Sequence, residues 1–416
     1  MPVNQMRVAM LSAHSCPVGK LGTKDTGGMS VYIRELACEL AGRGHSVDVY
    51  TRVHDPKDRQ IYEFCRNARL IHLGAGEDEE IQKLAVYSYL PDFACNLESF
   101  RKNNSLEYDL IFSHYWLSGV AGTYLQPWWR VPHITMFHTL GAVKNAVKEE
   151  AYLSPGEDDP ELRIETEKSL VQQCHHIIAP TEKEKEALVG HYGASSEKIS
   201  VVPCGVNLKQ FRVLDKAQAR QHLGFGDDKI VLCVGRIDPL KGVDKLIRAL
   251  PHLRDISGLK LVVIGGGEDS HAEIEQLRRL ARNLGMEDAV AFLGLVKHEQ
   301  LPHFYNAADV CVVPSYYESF GLVALESLAC GTPVVATDVG NHRMAIRQGE
   351  TGYVVRDNAP CGLADKIALL LSRPSSDKKS ALLIRASVSE FGWSRIAEAV
   401  IRDCRRVMAD YLAPVS

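Results

Sequence analysis

Two glutamates stand eight positions apart in the segment 318–331, which reads ESFGLVALESLACG. Eight residues of helix span roughly 12 Å at ~1.5 Å per residue, so Glu318 and Glu326 are too far apart to share one proton. They are suited to binding separate parts of one long ligand. From these residues alone, an equally good interpretation is a carboxylate near a helix start followed by a solvated helix glutamate.

The elements around these glutamates favour ligand binding. Residues 309–315 form a short apolar run rich in β-branched side chains, which predicts a buried parallel strand. Residues 322–329 are good helix formers, and Gly331 and Pro333 behind them predict where the helix ends. Between strand and helix, Gly321 lets backbone approach a ligand, and the helix N-terminus offers N–H groups to a phosphate or sugar oxygen.

A second candidate loop is the segment 234–242, VGRIDPLKG, which follows a predicted strand and opens a helix. Arg236 and Lys241 in this loop, beside the N–H groups of the helix start, would form a cradle for a diphosphate. The alternative is a solvated loop that Pro239 and Gly242 shape into a turn. The position of Arg236 directly after a buried strand favours the phosphate interpretation.

Glycines and one histidine add weaker signals. Gly27 and Gly28 precede the first helix, where their backbone N–H groups can approach a leaving diphosphate. The run 265–267 is a tight turn or a second approach to the ligand, and it does not match the G-x-G-x-x-G dinucleotide fingerprint. His138 follows a strand and could donate to a sugar hydroxyl or transfer a proton, although a structural hydrogen-bonding role is the common alternative.

Several chemistries lack their motifs in this sequence. It contains no nucleophile elbow in a Ser-His-Asp order, no Walker lysine loop and no HExxH motif, which disfavours hydrolases and kinases. Histidines that stand near predicted strand ends show no metal-ligand spacing with carboxylates or thiols: His14, His114, His175 and His176. We therefore predict no metal site and no metal cofactor.

Length and composition bound the class of protein. A chain of 416 residues exceeds the usual size of one hydrophobic core, so we expect two domains. A net charge of -4 gives no sign of a nucleic-acid partner. The 11 cysteines form no C-x-x-C pair, so we expect reduced thiols. The first residues lack the apolar core of a signal peptide, and no stretch has the ~18 apolar residues needed to cross a membrane. We therefore expect a cytoplasmic protein. This composition is also compatible with a homodimer and with peripheral membrane contact.

Strands and helices alternate in both halves, which predicts an α/β protein of two Rossmann-like, doubly wound domains facing across a cleft. We expect an N-terminal domain at 1–205, a C-terminal domain at 206–393, and a final helix, 394–411 within 394–416, that crosses back to the first domain. The segment 144–167 is charged and broken by prolines, so it is predicted to be a mobile loop entering a helix. The predicted strands are 7–12, 46–51, 109–113, 133–137, 177–179, 199–203, 230–234, 259–264 and 289–293, and the other predicted helices begin near Met29 or span 243–250 and 272–284.

Ligands of such sheets bind outside the carboxyl ends of the strands. All candidate loops leave predicted strands at that end, after Ser12, Ser113, Phe137, Val234, Ile264 and Ser315.

Three motifs together resemble a known family. They are Gly-Gly-Met at 27–29, Gly-Arg-x-x-x-x-Lys-Gly at 235–242, and the two glutamates with Ser-Phe-Gly between them. Their order and spacing are similar to those of the retaining GT-B glycosyltransferases of family four, which includes sucrose and sucrose-phosphate synthases, and the resemblance spans nearly the whole chain. It implies transfer of a hexose or N-acetylhexosamine from a UDP-sugar with retention of configuration, and without a metal cofactor.

The resemblance also implies residue roles. Arg236 and Lys241 would bind the donor diphosphate, Glu326 the ribose hydroxyls and Glu318 the donor sugar, while His138 would lie at the reacting centre. The implied catalytic set is therefore His138, Arg236, Lys241 and Glu318. The implied donor-binding set is Gly27, Gly28, Arg236, Lys241, Gly266, Glu318, Phe320, Gly321, Leu322 and Glu326.

Within this family the first half is similar to the branch that glycosylates an inositol phosphate, on the stretches 22–29, 113–119 and 138–145. That likeness implies a phosphorylated sugar or cyclitol as acceptor. The residues that would hold its phosphate are Lys83, Tyr115, Thr139 and Arg163. Ser30 belongs to the implied acceptor site but replaces an Asn of that branch, and the loop 148–161 is longer than expected, which opens the question of the acceptor.

Three alternatives to an inositol phosphate glycosyltransferase follow. Fructose 6-phosphate would be the acceptor of an enzyme similar to sucrose-phosphate synthase. A sugar-nucleotide epimerase of the same two-domain fold would not need the phosphate-holding residues, and a non-catalytic nucleotide-sugar binding subunit would not need His138.

Overall fold

The computed structural model describes residues 5–19, 26–77, 81–153, 159–267, 270–373 and 378–413. The chain forms two compact units. The first consists of Met1–Gly19, Gly28–Pro203 and Trp393–Ser416, and the second of Lys20–Gly27 and Cys204–Gly392.

The first unit is built on a sheet whose inner strands are short, buried runs. Its order is β3-β4-β2-β1-β5-β6-β7-β8, and every pairing is parallel except that of β3 with β4. Val8 pairs with Val47 on one side and with Leu110 on the other, so β1 lies at the point where the strand order reverses. The strands are β1 (Arg7–Leu11), β2 (Ser46–Arg52), β3 (Ile61–Cys65), β4 (Ala68–Leu73), β5 (Leu110–His114), β6 (His133–Met136), β7 (His176–Ala179) and β8 (Ile199–Val201).

Helices connect these strands and cover the sheet. In the first of them the side chains of Ile33, Leu36, Ala37 and Leu40 form a buried stripe, because they recur at helical spacing. The helices are α1 (Gly28–Gly42), α2 (Lys83–Ser88), α3 (Leu90–Asn103), α4 (Trp116–Trp129), α5 (Gly141–Glu150), α6 (Pro160–Gln173) and α7 (Glu182–Tyr192).

The second unit contains an all-parallel sheet in the order β11-β10-β9-β12-β13-β14. Numbered within the unit this is 3-2-1-4-5-6, the order of dinucleotide-binding sheets, and the order reverses between β9 and β12. The strands are β9 (Lys229–Val234), β10 (Leu259–Ile264), β11 (Val290–Gly294), β12 (Val310–Val313), β13 (Val334–Thr337) and β14 (Gly352–Val355). The helices are α8 (Lys216–Leu223), α9 (Val243–Ala249), α10 (His271–Asn283), α11 (Leu301–Ala307), α12 (Leu322–Ala329), α13 (His342–Ala345), α14 (Pro360–Leu371) and α15 (Lys378–Ala386).

The last helix, α16 (Trp393–Leu412), packs on α1 within the first unit. The guanidinium of Arg43 donates to the carbonyl and the hydroxyl oxygens of Ser394 at 2.6 and 2.8 Å. The ring of Tyr32 meets that of Trp393 edge to face, with centroids 5.3 Å apart. These contacts hold the start of α16 against α1.

The predicted α/β fold of two doubly wound domains is confirmed, and the structure corrects several elements. The hairpin of β3 and β4 and the strands β13 and β14 were not predicted. At 144–167 a mobile loop entering a helix was predicted; the loop is wrong for residues 144–150, which belong to α5, and α6 is the helix that follows. Pro160 lies in the first turn of α6, where its missing N–H costs nothing, and the Asp159 carboxylate accepts from the N–H of Leu162 at 3.0 Å. Pro155 and Gly156 lie outside the described residues.

Among the residues that the structure describes, no helix has both the length and the apolar character required to span a membrane.

Candidate active site

In the second unit, the loops after β9 and β12 meet at the reversal of strand order. The ammonium of Lys241 donates to Oε1 of Glu318 at 2.6 Å, and the hydroxyl of Ser315 donates to the same oxygen at 2.9 Å. The side chains of Lys241 and Glu318 keep 21% and 16% of their exposure. Gly235, Arg236, Lys241 and Ser315 line one small concavity at this edge of the sheet.

Electrostatics keep the Glu318 carboxylate ionised. Burial alone would raise its pKa, but the charge and hydrogen bond of Lys241, the proximity of His342 and the hydroxyl of Ser315 lower it overall. Glu318 was predicted to contact the donor sugar, and that role stays a prediction. Its contacts here are with the cation predicted to bind the diphosphate.

Arg236 lies in the same loop and is more open to solvent. Its guanidinium is 3.8 Å from the carboxylate of Asp238, and 37% of its side chain is exposed. The other oxygen of Asp238 accepts from the N–H of Leu240 at 2.9 Å, which shapes the turn Pro239–Lys241. Gly242 ends this turn at φ +65°, and a Cβ atom there would lie 2.2 Å from the carbonyl oxygen of Pro314. The glycine of the motif is therefore required for the two loops to pack.

The segment before α12 places the other predicted donor-binding residues. Gly321 adopts φ +102°, and a Cβ atom there would lie 2.4 Å from Nε2 of His342. Leu322 is the first residue of α12. The Phe320 ring is buried, 6.4 Å from that of Phe391, so only its backbone remains for a ligand.

The remaining predicted donor glycines stand at chain turns. Gly266 follows β10 with φ +80°, and Gly28 is the first residue of α1. Gly27 clusters with the second unit, where a Cβ atom built on it would lie 3.9 Å from Cδ of Arg236. The residues just before it, 22–25, belong to a stretch that carried the family resemblance and lie outside the described residues.

Glu326 is buried inside a hydrogen-bond network, so the interpretation of a solvated helix glutamate is wrong. Its side chain is 8% exposed; Oε1 accepts from Nε2 of His298 and Oε2 from the Tyr305 hydroxyl, both at 2.8 Å. The side-chain amide of Gln210 donates to the His298 carbonyl at 2.9 Å and lies 3.2 Å from its Nδ1. Because that amide is a donor, Nδ1 of His298 accepts and Nε2 carries the proton towards Glu326. Sequence reasoning did not identify His298 and Tyr305, the two partners of Glu326, or Gln210, which contacts His298.

In the first unit, Tyr115 and the three other residues predicted to hold a phosphate come together. The ammonium of Lys83 lies 5.9 Å and the guanidinium of Arg163 4.9 Å from the ring centroid. Arg163 also donates to the carbonyl and hydroxyl oxygens of Thr139 at 2.7 and 3.0 Å. The cluster combines two cations, a hydroxyl and an aromatic wall.

The buried carboxylate of Glu167 fixes the position of Arg163 in this cluster. Nε of Arg163 donates to Oε1 of Glu167 at 2.7 Å, and their side chains are only 4% and 0% exposed. Oε2 of Glu167 accepts from the N–H of Gly141 at 2.9 Å and from the Tyr192 hydroxyl at 2.6 Å. Both oxygens are thus hydrogen-bonded, as a buried charge requires. Sequence reasoning missed Glu167 and Tyr192, although Glu167 stands four residues after Arg163, a spacing that pairs side chains on a helix.

His14, in the loop after β1, stands beside this cluster. The His14 ring lies 4.4 Å from that of Tyr115, and burial followed by the charges of Lys83 and other groups lowers its pKa well below the usual value. The structure adds His14 to the cluster. The predicted acceptor residue Ser30 is fully buried, and its hydroxyl oxygen is 3.0 Å from that of Ser15, so its contribution to the acceptor site stays a prediction.

His138 and Tyr115, which follow neighbouring strands, both adopt left-handed backbone conformations, with φ of +60° and +76°. Such backbone conformations are unfavourable for residues other than glycine, and they concentrate at functional sites. Nε2 of His138 lies 3.0 Å from Nδ1 of His114. Burial lowers the pKa of His138 to about 3, so its imidazole is neutral at neutral pH.

In the described ranges, no three His, Cys, Asp or Glu side chains are grouped so that they could hold a metal ion. The carboxylates of both clusters are paired with cations or with neutral donors instead.

Comparisons with known proteins identify the family of the chain. Residues 26–210 match the family described as Glycosyltransferase Family 4, and residues 215–386 match the family described as Glycosyl transferases group 1. The D-inositol 3-phosphate glycosyltransferase of Corynebacterium glutamicum is 39% identical over 88% of this chain and 88% of its own length. The enzyme of the same name from Mycobacteroides abscessus is 38% identical over 98% of this chain and 91% of its own length.

Solved structures show the same architecture. Sucrose-phosphate synthase from Thermosynechococcus elongatus is 33% identical, with a TM-score of 0.87 over 98% of this chain and all of that one (100%). Anabaena HepE in complex with UDP and glucose superimposes with a TM-score of 0.73 over 96% of this chain and 100% of its own, at 18% identity, which supports the fold alone. The chain is a GT-B glycosyltransferase and belongs to glycosyltransferase family 4.

Proposed function

We propose that this glycosyltransferase moves a hexose or N-acetylhexosamine from a UDP-sugar to a small phosphorylated cyclitol, inositol phosphate, with retention of anomeric configuration and without a metal ion. The observation that carries the proposal is the cluster of Lys83, Arg163 and Thr139 around Tyr115. Its two cations and one hydroxyl match the charge and hydrogen-bonding needs of a phosphate. Relatives that cover most of the chain carry the name D-inositol 3-phosphate glycosyltransferase.

The donor would bind to the second unit at the reversal of strand order. Arg236 and Lys241 would hold the diphosphate, since both lie after β9 and line the concavity there. Glu326, oriented by two neutral donors, would accept hydrogen bonds from the ribose hydroxyls. The UDP donor is what the family resemblance implies, and Anabaena HepE, which shares this fold, was solved with UDP and glucose.

The mechanism we propose is attack of an acceptor hydroxyl on the anomeric carbon from the face of the leaving group. The new glycosidic C–O bond forms as the bond from the anomeric carbon to the diphosphate oxygen breaks, and the hydroxyl proton passes to the leaving diphosphate. Arg236, Lys241 and the backbone N–H groups at Gly27 and Gly28 would stabilise the charge that develops there. Glu318 is hydrogen-bonded to Lys241 and Ser315, which suits a structural carboxylate better than a covalent nucleophile.

Release of UDP by the full chain tests this function. UDP-glucose and UDP-N-acetylglucosamine are each supplied with D-inositol 3-phosphate, with inositol lacking the phosphate, or with fructose 6-phosphate. We expect release that depends on inositol phosphate, is unchanged by a chelator and yields a retained anomer by NMR. Sucrose-phosphate synthase is 33% identical to this chain and shares its fold, so fructose 6-phosphate is the second candidate acceptor.

A matched pair of lysine variants localises the phosphate. Lys83→Ala should raise KM for inositol phosphate roughly 10–100-fold, the effect of losing one charged hydrogen bond, whereas Lys102→Ala on the exposed face of α3 should leave it unchanged. Donor binding without any acceptor-dependent release would contradict the proposed reaction. Equal KM values for the two variants would contradict the assignment of the phosphate site.

A further inference from the structure

Two histidines at the ends of β5 and β6 form a pair that the proposed reaction does not explain. His114 is fully buried, whereas His138 keeps 9% of its exposure. Nδ1 of His114 lies 3.0 Å from Nε2 of His138. The remaining ring nitrogen of His114, Nε2, is buried and has no hydrogen-bond partner among the residues that the structure describes.

Both imidazoles are neutral at neutral pH. Burial lowers the pKa of His114 well below the usual value, with a further decrease from the neighbouring His138, and burial lowers the pKa of His138 to about 3. A hydrogen bond between two neutral imidazoles needs one N–H and one bare nitrogen. Only two arrangements satisfy this: both rings carry their proton on Nδ1, or both carry it on Nε2.

The surroundings of His114 distinguish these arrangements. With both protons on Nε2, the His114 ring would present a buried N–H group to no acceptor. With both on Nδ1, His114 donates to His138 and leaves only a bare lone pair unpartnered. Orphaned buried N–H groups are the rarer and more costly case in proteins, so the arrangement with both protons on Nδ1 is favoured.

We propose that His114 is a positioning residue that fixes the tautomer of His138, so that His138 offers a neutral Nδ1–H donor to a substrate oxygen. This rests on the proposed function, because it takes His138 to lie where the sugar is transferred. The left-handed backbone of His138 and the ring of Tyr32, which lies 5.2 Å away edge to face, already hold the imidazole in one place. Its tautomer is the property that His114 sets.

Two variants of nearly the same shape separate the hydrogen bond from packing. Asparagine at position 114 keeps an N–H donor for His138, whereas leucine removes it. His114→Leu should lower kcat roughly 10–100-fold, the range for outer partners that orient functional histidines, with KM for the UDP-sugar changed by less than about twofold. His114→Asn should stay within about threefold of the wild type. His176→Asn at the amino end of β7, where the ring contacts Ser200 at the opposite edge of the sheet, should not change kcat.

The tautomer itself is read from nitrogen-15 shifts of the His138 ring in the full chain at pH 7. We expect protonated Nδ1 in the wild type and in His114→Asn, and a change towards protonated Nε2 in His114→Leu. A wild-type His138 protonated on Nε2, or an unchanged kcat in a folded His114→Leu, would overturn the inference. The wild-type spectrum decides the tautomer even if the leucine variant does not fold. The wild-type spectrum decides the tautomer also if no acceptor supports turnover. That result would contradict the proposed function and leave the tautomer assignment standing.

Discussion

The two units place a cation at a strand end in different ways. In the first unit, Arg163 is paired with the fully buried Glu167, whose two oxygens are both hydrogen-bonded. In the second unit, Lys241 is paired with Glu318, and both side chains remain partly exposed. Under the proposed function, a guanidinium fixed by Glu167 and Thr139 suits recognition of a small acceptor, whereas the compact charge of an ammonium suits a diphosphate whose charge changes during the reaction.

The histidines of the two units differ in the same sense. Burial lowers the pKa of many histidines of the first unit: His14, His45, His54, His114, His133, His138, His175 and His176. In the second unit, burial lowers the pKa of His342. The packing of the first unit thus depends on many neutral imidazoles, whereas Lys241 and Glu318 in the second unit form an ion pair.

The largest expected effect is therefore a loss of stability of the first unit in mild acid. A histidine whose folded pKa lies below its unfolded value stays neutral in the native state, while the unfolded chain binds a proton below pH ~6.5. Stability is then complete above ~6.5 and falls as the pH decreases towards 3 or 4. For His54, His133, His138 and His176, with pKa values of about 4, 3, 3 and 4, the loss at pH 5.5 sums to ~5 kcal/mol.

Tryptophan fluorescence measures this in the intact chain, because all 4 tryptophans lie in the first unit: Trp116, Trp128, Trp129 and Trp393. The urea midpoint of the fluorescence transition should decrease steeply between pH 7.5 and 5.5. Affinity for an intact UDP-sugar, whose diphosphate has no terminal phosphate to take up a proton in this range, should change little, since the lowered pKa of Glu318 keeps its pair with Lys241 charged. A midpoint independent of pH would refute the dependence of the first unit on neutral histidines.

The next largest effect concerns the locked ion pair. Arg163→Met would leave the Glu167 carboxylate buried without its cation, so we expect the free energy of unfolding of the first unit to decrease by ~3–5 kcal/mol. Replacing both residues, as Arg163→Met with Glu167→Gln, should restore part of this loss, because no charge stays buried. The urea midpoint of tryptophan fluorescence reports both changes.

A control for this prediction lies on the same helix. Lys168 pairs with Glu165 at 2.8 Å, but the two side chains are 45% and 70% exposed. Lys168→Met should cost less than ~1 kcal/mol, as exposed pairs usually do. If the two methionine variants were equally stable, burial of the Arg163–Glu167 pair would add nothing to the stability of the first unit.

Much of this arrangement was predictable from sequence because it is local. Apolar β-branched runs predicted the central strands, and propensities with Gly331 behind them predicted α12 at its observed bounds. The candidate loops all follow strands, so the topology of a parallel sheet predicted that they meet at one edge. The residues around Tyr115 were predicted through family resemblance, and the structure brings them together.

What could not be predicted depends on contacts between distant segments. Nothing near Glu326 indicates that Tyr305 and His298, from other segments, will hold its two oxygens. The edge strand β3 is mostly exposed and lacks the apolar pattern of the inner strands, so its pairing with β4 left no clear signal. The segment 141–150 carries its charges at Lys144, Lys148, Glu149 and Glu150, and its helical conformation is supported by tertiary contacts such as the bond from the Gly141 N–H to Glu167.

The smallest expected effect tests the network around Glu326, where the second unit orients a carboxylate with neutral donors instead of a cation. The Tyr305 hydroxyl occupies one lone pair of Oε2 and leaves the other for a ribose hydroxyl. Tyr305→Phe should therefore free the carboxylate to rotate and weaken UDP binding by ~1 kcal/mol, about fivefold in Kd, which calorimetry measures.

Tyr353→Phe on the edge strand β14 provides a control with unchanged Kd, because the Tyr353 hydroxyl lies 3.4 Å from the Arg373 guanidinium. Unchanged UDP binding in Tyr305→Phe would mean that His298 alone orients Glu326; tighter binding would mean that the hydroxyl competes with the ribose.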